Sequence, residues 1–254
     1  MLLVGSALKG YATEASDGRL GKVSDFLFDD ETWMIRWLVV DTGAWLAGRK
    51  VLLHPSAIGH IDNVRQTLAL ALTKAQVEGS PLISRDQPIS SQMESHLFGY
   101  YGCDHDWESN YFGTGANGSP LASQPYFGAP SPEDIRVDPH PEKEDQHLHS
   151  MTSVTGYHIH GTDGDIGHVE SFLIDAASWG IRYFVVDTKN WWLGQHVLVS
   201  PYAVQKIRWS DRQIRLDVTR DQVKSCPPWD PIHTTDQTYE KKLHSHYGWP
   251  GYGF

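Results

Sequence analysis

Six histidines of this 254-residue chain fall into pairs one residue apart: His147/His149, His158/His160 and His244/His246. On a strand, that spacing puts both imidazoles on one face, an arrangement suited to Zn or Ni. When the chain is laid on itself, His158 and His160 fall on Ala12 and Glu14, and none of the pairs recurs. No metal and no cofactor is therefore expected. Arg36 and Asp41 do recur, as Arg182 and Asp187. An ion pair inside the sheet, or a carboxylate that caps a turn, explains such groups better than a proton relay does. The stretch Asp17-Gly18-Arg19-Leu20-Gly21 lacks the Gly-Lys-Ser/Thr ending of a phosphate loop and precedes a strand. No nucleophile with its base and no carboxylate pair stands out, so no catalytic residue is assigned and the chain is expected not to be an enzyme.

Large apolar side chains beside glycine offer a different chemistry. Trp45-Leu46 precedes Gly48, and Trp191-Trp192-Leu193 precedes Gly194. Tyr247 and Trp249 lie in an aromatic tail. Such residues fill cores, but they also dominate protein interfaces, where a wide ring carries a polar handle. They are the candidate interaction residues, with the core reading and the interface reading close to even.

The elements that position these residues come from an internal repeat. A shift of 146 residues lays Phe26-Leu27 on Phe172-Leu173, Val39-Val40-Asp41-Thr42 on Val185-Val186-Asp187-Thr188, and Pro55 on Pro201 without a gap. The register persists to Glu94, Leu97 and Tyr101, which fall on Glu240, Leu243 and Tyr247. Two copies are too few for a solenoid, so tandem domains are expected. The domains run 1–102 and 154–254, and 103–153, rich in Gly, Pro and His, is a linker.

Each copy reads as short strands. Asp17-Gly18 and Asp163-Gly164 are hairpin signals. The run Trp33 to Val40 is apolar on both faces, so both faces must be covered. The companion copy, packed as a pseudo-symmetric pair, is the first candidate for the cover, and a homodimer is the alternative. Thr73 to Gln76 and Thr219 to Gln222 are capping boxes that open short helices, and Ser91 to Glu94 opens another, with a counterpart near Asp236 to His246.

Acidic residues exceed basic ones by 31 to 21, a net charge of −10. That balance argues against nucleic acid, whose phosphates need clustered Lys and Arg. No apolar run reaches the ~18 residues of a membrane span, and the N-terminus is not read as a secretion signal. Two cysteines, Cys103 and Cys226, form no metal spacing or disulfide framework, so a cytoplasmic location is expected.

The run Asp17-Gly18, Gly21, Asp25-Phe26-Leu27-Phe28-Asp29-Asp30, Ile35-Arg36, Leu38-Val39-Val40-Asp41-Thr42-Gly43, Trp45-Leu46, Gly48-Arg49, Val51-Leu52-Leu53 and Pro55 resembles the PRC-barrel domain. The second copy follows with drift, including Gln195 in place of Arg49. The resemblance implies an all-β fold: two small PRC-type β-barrels related by the repeat, each with a short C-terminal helical extension. The family occurs in the cytoplasmic part of the photosynthetic reaction centre H subunit and in a bacterial ribosome-maturation protein. It implies a scaffold or adaptor that assembles proteins at a membrane-associated electron-transport or photosynthetic-type complex. Without a membrane span, association with that complex would be peripheral, through a membrane protein. The alternative function is a small-molecule, quinone or metal sensor that binds in a groove between the barrels.

Overall fold

The computed structural model describes residues 1–81, 97, 99–101, 147–188, 195–229 and 237–252. The 103–146 part of the expected linker, the start of the helix opening at Ser91, and Trp191, Trp192 and Leu193 lie outside the described residues, while residues 97 and 99–101 are helical. The chain is mostly β and forms two sheets. Two compact units contain them: one is Gly10–Asp30 with Arg36–Leu148, the other Met1–Lys9, Glu31–Ile35 and His149–Phe254. This division differs from the contiguous 1–102 and 154–254 expected, because two short segments of the first copy pack into the second unit.

The chain opens with β1 (Leu2–Val4) and α1 (Gly5–Leu8), both in the second unit. The first unit then holds β2 (Ala12–Ala15), β3 (Gly18–Asp29), β4 (Ile35–Asp41) apart from Ile35, β5 (Lys50–Leu53), β6 (Ile58–Asp62), β7 (Thr67–Leu70) and α2 (Lys74–Glu78). Its sheet runs β5-β4-β3-β2-β7-β6, with β2 and β7 parallel. Gly18 turns the β2–β3 hairpin at φ +136°, a conformation that favours glycine. The register of that hairpin shifts between Thr13 and Glu14, which leaves Leu20 as an extra residue on β3. The Asp17 carboxylate accepts the Lys74 N–H at 2.8 Å, pinning the turn to the start of α2. Thr73 and Gln76 complete the capping box there.

β8 (Leu148–Ser150) begins at Leu148, which ends the first unit. The second unit continues with α3 (Met151–Val154), β9 (His158–His160), β10 (Asp165–Asp175), β11 (Ile181–Asp187), β12 (His196–Val199), β13 (Val204–Arg208), β14 (Gln213–Leu216), α4 (Arg220–Lys224) and α5 (Gln237–Tyr247). Its sheet order, β12-β11-β10-β9-β14-β13, repeats that of the first unit, and β1 adds to β10 with Leu2 opposite Asp175. The Asp163 carboxylate accepts the Arg220 N–H at 2.8 Å, as Asp17 does for Lys74. Thr219 and Gln222 form the second capping box.

The central strands begin two residues later than the apolar run suggests. Trp33 and Trp179 have φ of 59° and 60°, outside the extended region, so β4 and β11 start at Ile35 and Ile181. In the second unit the Ile35 N–H donates to the Trp179 carbonyl at 2.9 Å and the Ile181 N–H to the Trp33 carbonyl at 2.7 Å. Both faces of β4 and β11 are buried, as alternation requires. On β11, Phe184 meets Phe172 and Trp33, with ring centroids 5.6 and 5.2 Å away. Tyr183, on the opposite face, is covered from within its own unit by His244 of α5 and by Tyr252. Each fully buried aromatic of this kind contributes roughly 1.5–3 kcal/mol of apolar transfer energy.

Candidate functional site

The loop from Thr42 to Arg49 joins β4 to β5 and presents Trp45. Thr42 is buried; its hydroxyl donates to the Arg49 carbonyl at 2.6 Å and so closes the base of the loop. The Asp41 carboxylate accepts the Gly43 N–H at 2.9 Å, and the Gly48 N–H donates back to the Gly43 carbonyl at 2.5 Å. Gly43 and Gly48 take positive φ, which lets so short a segment reverse. The Arg49 guanidinium donates to the carbonyls of Glu78, Ser80 and Pro81, tying the loop to the C-terminal end of α2.

Trp45 and Leu46 are half-buried. The indole forms one wall of an open cleft of about 420 Å³, whose other lining includes Arg19, Leu20, Lys22, Asp41 and Thr42. The Lys74 ammonium sits 5.4 Å from the indole centroid, within cation–π range. The cleft thus combines an aromatic wall with two cations, Arg19 and Lys22, and the carboxylate of Asp41, while Lys74 lies over the indole, on a chain of net charge −10. Sequence reasoning found Trp45 and missed Arg19, Lys22 and Lys74, because their proximity depends on the β2–β3 turn folding beside α2.

Arg36 and Asp41 do not form the expected pair. Arg36 lies 3.5 Å from Asp29, both side chains being mostly buried, and Asp41 is exposed. The reason is strand geometry: residues five apart on a strand point to opposite faces, whereas Asp29 and Arg36 flank one hairpin. Asp41 takes the other role weighed for it, capping a turn. In the second unit Arg182 pairs with Asp175, and the Asp187 carboxylate lies 3.8 Å from His168. Asp187 is buried where Asp41 is exposed.

The histidines of each pair have different surroundings. His147 contacts Asp30 at 2.9 Å, while His149 stacks on Trp209 with centroids 3.5 Å apart. His160 lies 3.8 Å from Asp165, and His158 is exposed. His244 is buried against Tyr183, while His246 reaches the Gln222 carbonyl at 2.8 Å. Among the described residues no three His, Cys, Asp or Glu side chains are grouped to hold a metal. Tyr247 stacks on Trp249 at 4.1 Å, and the Trp249 N–H donates to the His244 carbonyl, so this half-buried tail folds on its own helix.

An antiparallel sheet with one short parallel pairing and an aromatic loop at one end define a small β-domain. Residues 12–77 match the PRC-barrel domain, so the chain carries a PRC-barrel domain over the first sheet. An uncharacterized protein of Deinococcus radiodurans is 34% identical over 90 residues, which are 35% of this chain and 31% of that protein. The chain therefore spans about a third of the length of that relative.

Proposed function

We propose that this chain is a non-catalytic scaffold or adaptor, built from two PRC-type barrels with helical extensions, that assembles proteins through the cleft beside Trp45. The observation that carries this reading is Trp45 itself. Its indole is half-exposed in an anchored loop, over an open cleft of the PRC-barrel domain. A rigid aromatic on a fixed loop costs little ordering entropy when a partner covers it. Arg19, Lys22 and Lys74 beside it favour a protein partner with an acidic segment. The cytoplasmic setting, at a membrane-associated electron-transport or photosynthetic-type complex, rests on the family resemblance and on cysteine usage. No helix among the described residues is long and apolar enough to cross a membrane.

The test is affinity capture from native lysate with the wild type and with Trp45→Ala, after circular dichroism has shown the variant folded. A stoichiometric protein held by the wild type, released by added salt and lost in Trp45→Ala, is the expected result. Equal capture by both proteins removes Trp45 from the interface. No partner for either overturns the adaptor reading.

A further inference from the structure

We propose that the two copies have diverged into unlike docking surfaces: the cleft beside Trp45 takes an acidic segment, its counterpart in the second unit does not, and Arg19 and Lys22 against Asp165 and His168 set the difference. This inference rests on the adaptor reading above and adds which copy the acidic partner meets.

Each unit frames its site with the same bonds. The Thr42 hydroxyl closes the first loop on the Arg49 carbonyl at 2.6 Å, and the Thr188 hydroxyl donates to the Gln195 carbonyl at 2.8 Å. The Asp17 carboxylate accepts the Lys74 N–H, and the Asp163 carboxylate the Arg220 N–H, both at 2.8 Å. A Cβ on Gly18 would meet Lys74 Nζ at 3.5 Å, and one on Gly164 would meet Arg220 Cδ at 3.2 Å. The side chains that open α2 and α4 therefore lie against the same turn.

The charges on this frame differ. In the first unit, exposed Arg19 and Lys22 line the cleft and Lys74 lies over the indole, against one carboxylate, Asp41. The shift of 146 residues puts Asp165, His168, Arg220 and Asp187 in their places: one permanent cation, two carboxylates and an imidazole. That imidazole is engaged, with His168 Nε2 3.8 Å from Asp187 Oδ2. Asp165 lies 3.8 Å from His160, and its side chain is 41% exposed, so its charge still faces solvent. Farther out, Lys50 opposite Asp41 becomes His196 opposite Asp187. Ser24 becomes Glu170, whose carboxylate is 2.7 Å from His196. Against this trend, Glu14, opposite Arg19 on the hairpin, becomes His160.

An acidic segment entering the first cleft approaches exposed cations and an aromatic face. In the second unit it approaches Asp165 where Arg19 would stand, and like charges repel. Replacing an arginine by aspartate and a lysine by histidine at exposed positions is worth about tenfold in affinity at moderate salt. The chain then holds one acidic segment and does not bridge two copies of one acidic partner.

The experiment is titration of the isotope-labelled full chain with a short poly-glutamate peptide at about pH 8, above the ordinary range of imidazole titration, read by amide and indole chemical shifts. Shifts centred on Lys22, Gly43 and Lys74, with none to match at His168 and Arg220, are expected. Arg19→Asp/Lys22→His puts the second copy's residues into the first cleft and should weaken binding there about tenfold. Asp165→Arg/His168→Lys should bring the shifts to the second unit as well. Equal shifts at both sites of the wild type overturn the proposal, and so does binding left unchanged by either double substitution. If the second variant does not fold, the wild-type shift map and the first variant decide. These failures leave the adaptor reading standing. A peptide that shifts neither site overturns the proposal differently, by removing the acidic partner from that reading.

Discussion

A Cβ placed on Gly21 would fall 2.1 Å from the carbonyl oxygen of Asp41, so β3 and the end of β4 approach too closely here for any side chain. Gly167 stands in the same relation to Asp187, at 2.0 Å. Gly21→Ala has no flexible side chain to push aside, only backbone. The substitution should therefore part the strands at the foot of the Trp45 loop and lower stability by about 1–3 kcal/mol. Urea unfolding reads this directly, and an alanine variant as stable as the wild type contradicts the close approach.

The two carboxylates near Arg36 should differ sharply in cost. Asp29→Asn leaves a mostly buried guanidinium without its paired charge and should cost about 3 kcal/mol. Asp41→Asn keeps an oxygen that accepts the exposed Gly43 N–H, and should cost about 1 kcal/mol or less. Equal losses in thermal unfolding would restore Asp41 as the partner of Arg36.

Arg49→Gln introduces the residue that the second copy carries at the same position. The side chain then no longer spans the carbonyls of Glu78, Ser80 and Pro81. Loss of these charge-assisted bonds should cost about 1.5–3 kcal/mol and raise amide exchange in 42–49. Unchanged exchange there would mean that the loop is held by Thr42 alone.

The fold was legible where one residue type has one local use. Asp17-Gly18 made a hairpin, and Thr73 and Gln76 made a capping box, because both are contacts within a few residues. Strand starts were misplaced at Trp33 and Trp179, since an apolar aromatic gives no local signal of positive φ. The candidate site divided the same way. Trp45 stood out beside its glycines, but Lys74 over the indole and Asp29 on Arg36 are contacts between segments, which a spacing argument along one strand does not reach.

His54 carries the last prediction, an acid-side loss of stability. It is buried at the N-cap of the turn Pro55–Ala57, where its Nδ1 accepts the Ser56 N–H at 3.2 Å. Burial, and secondarily the charge of Arg36, lower its pKa from 6.5 to about 4. The unfolded chain therefore takes up a proton below pH 6.5 that the folded chain refuses until about pH 4. Stability from this group is full above the unfolded value, falls as pH drops through that window, and is lost below it. The whole span corresponds to about 3 kcal/mol. Ser200 caps the equivalent turn in the second copy by accepting the Tyr202 N–H, so His54→Ser preserves the cap without a titrating group. Urea unfolding at stepped pH should show a shallower acid slope for His54→Ser than for the wild type. The comparison is between slopes, because the smaller side chain also removes packing against Trp37, whose ring lies 5.6 Å away. Identical slopes would mean that His54 titrates alike in the folded and unfolded chains, and that acid sensitivity arises elsewhere.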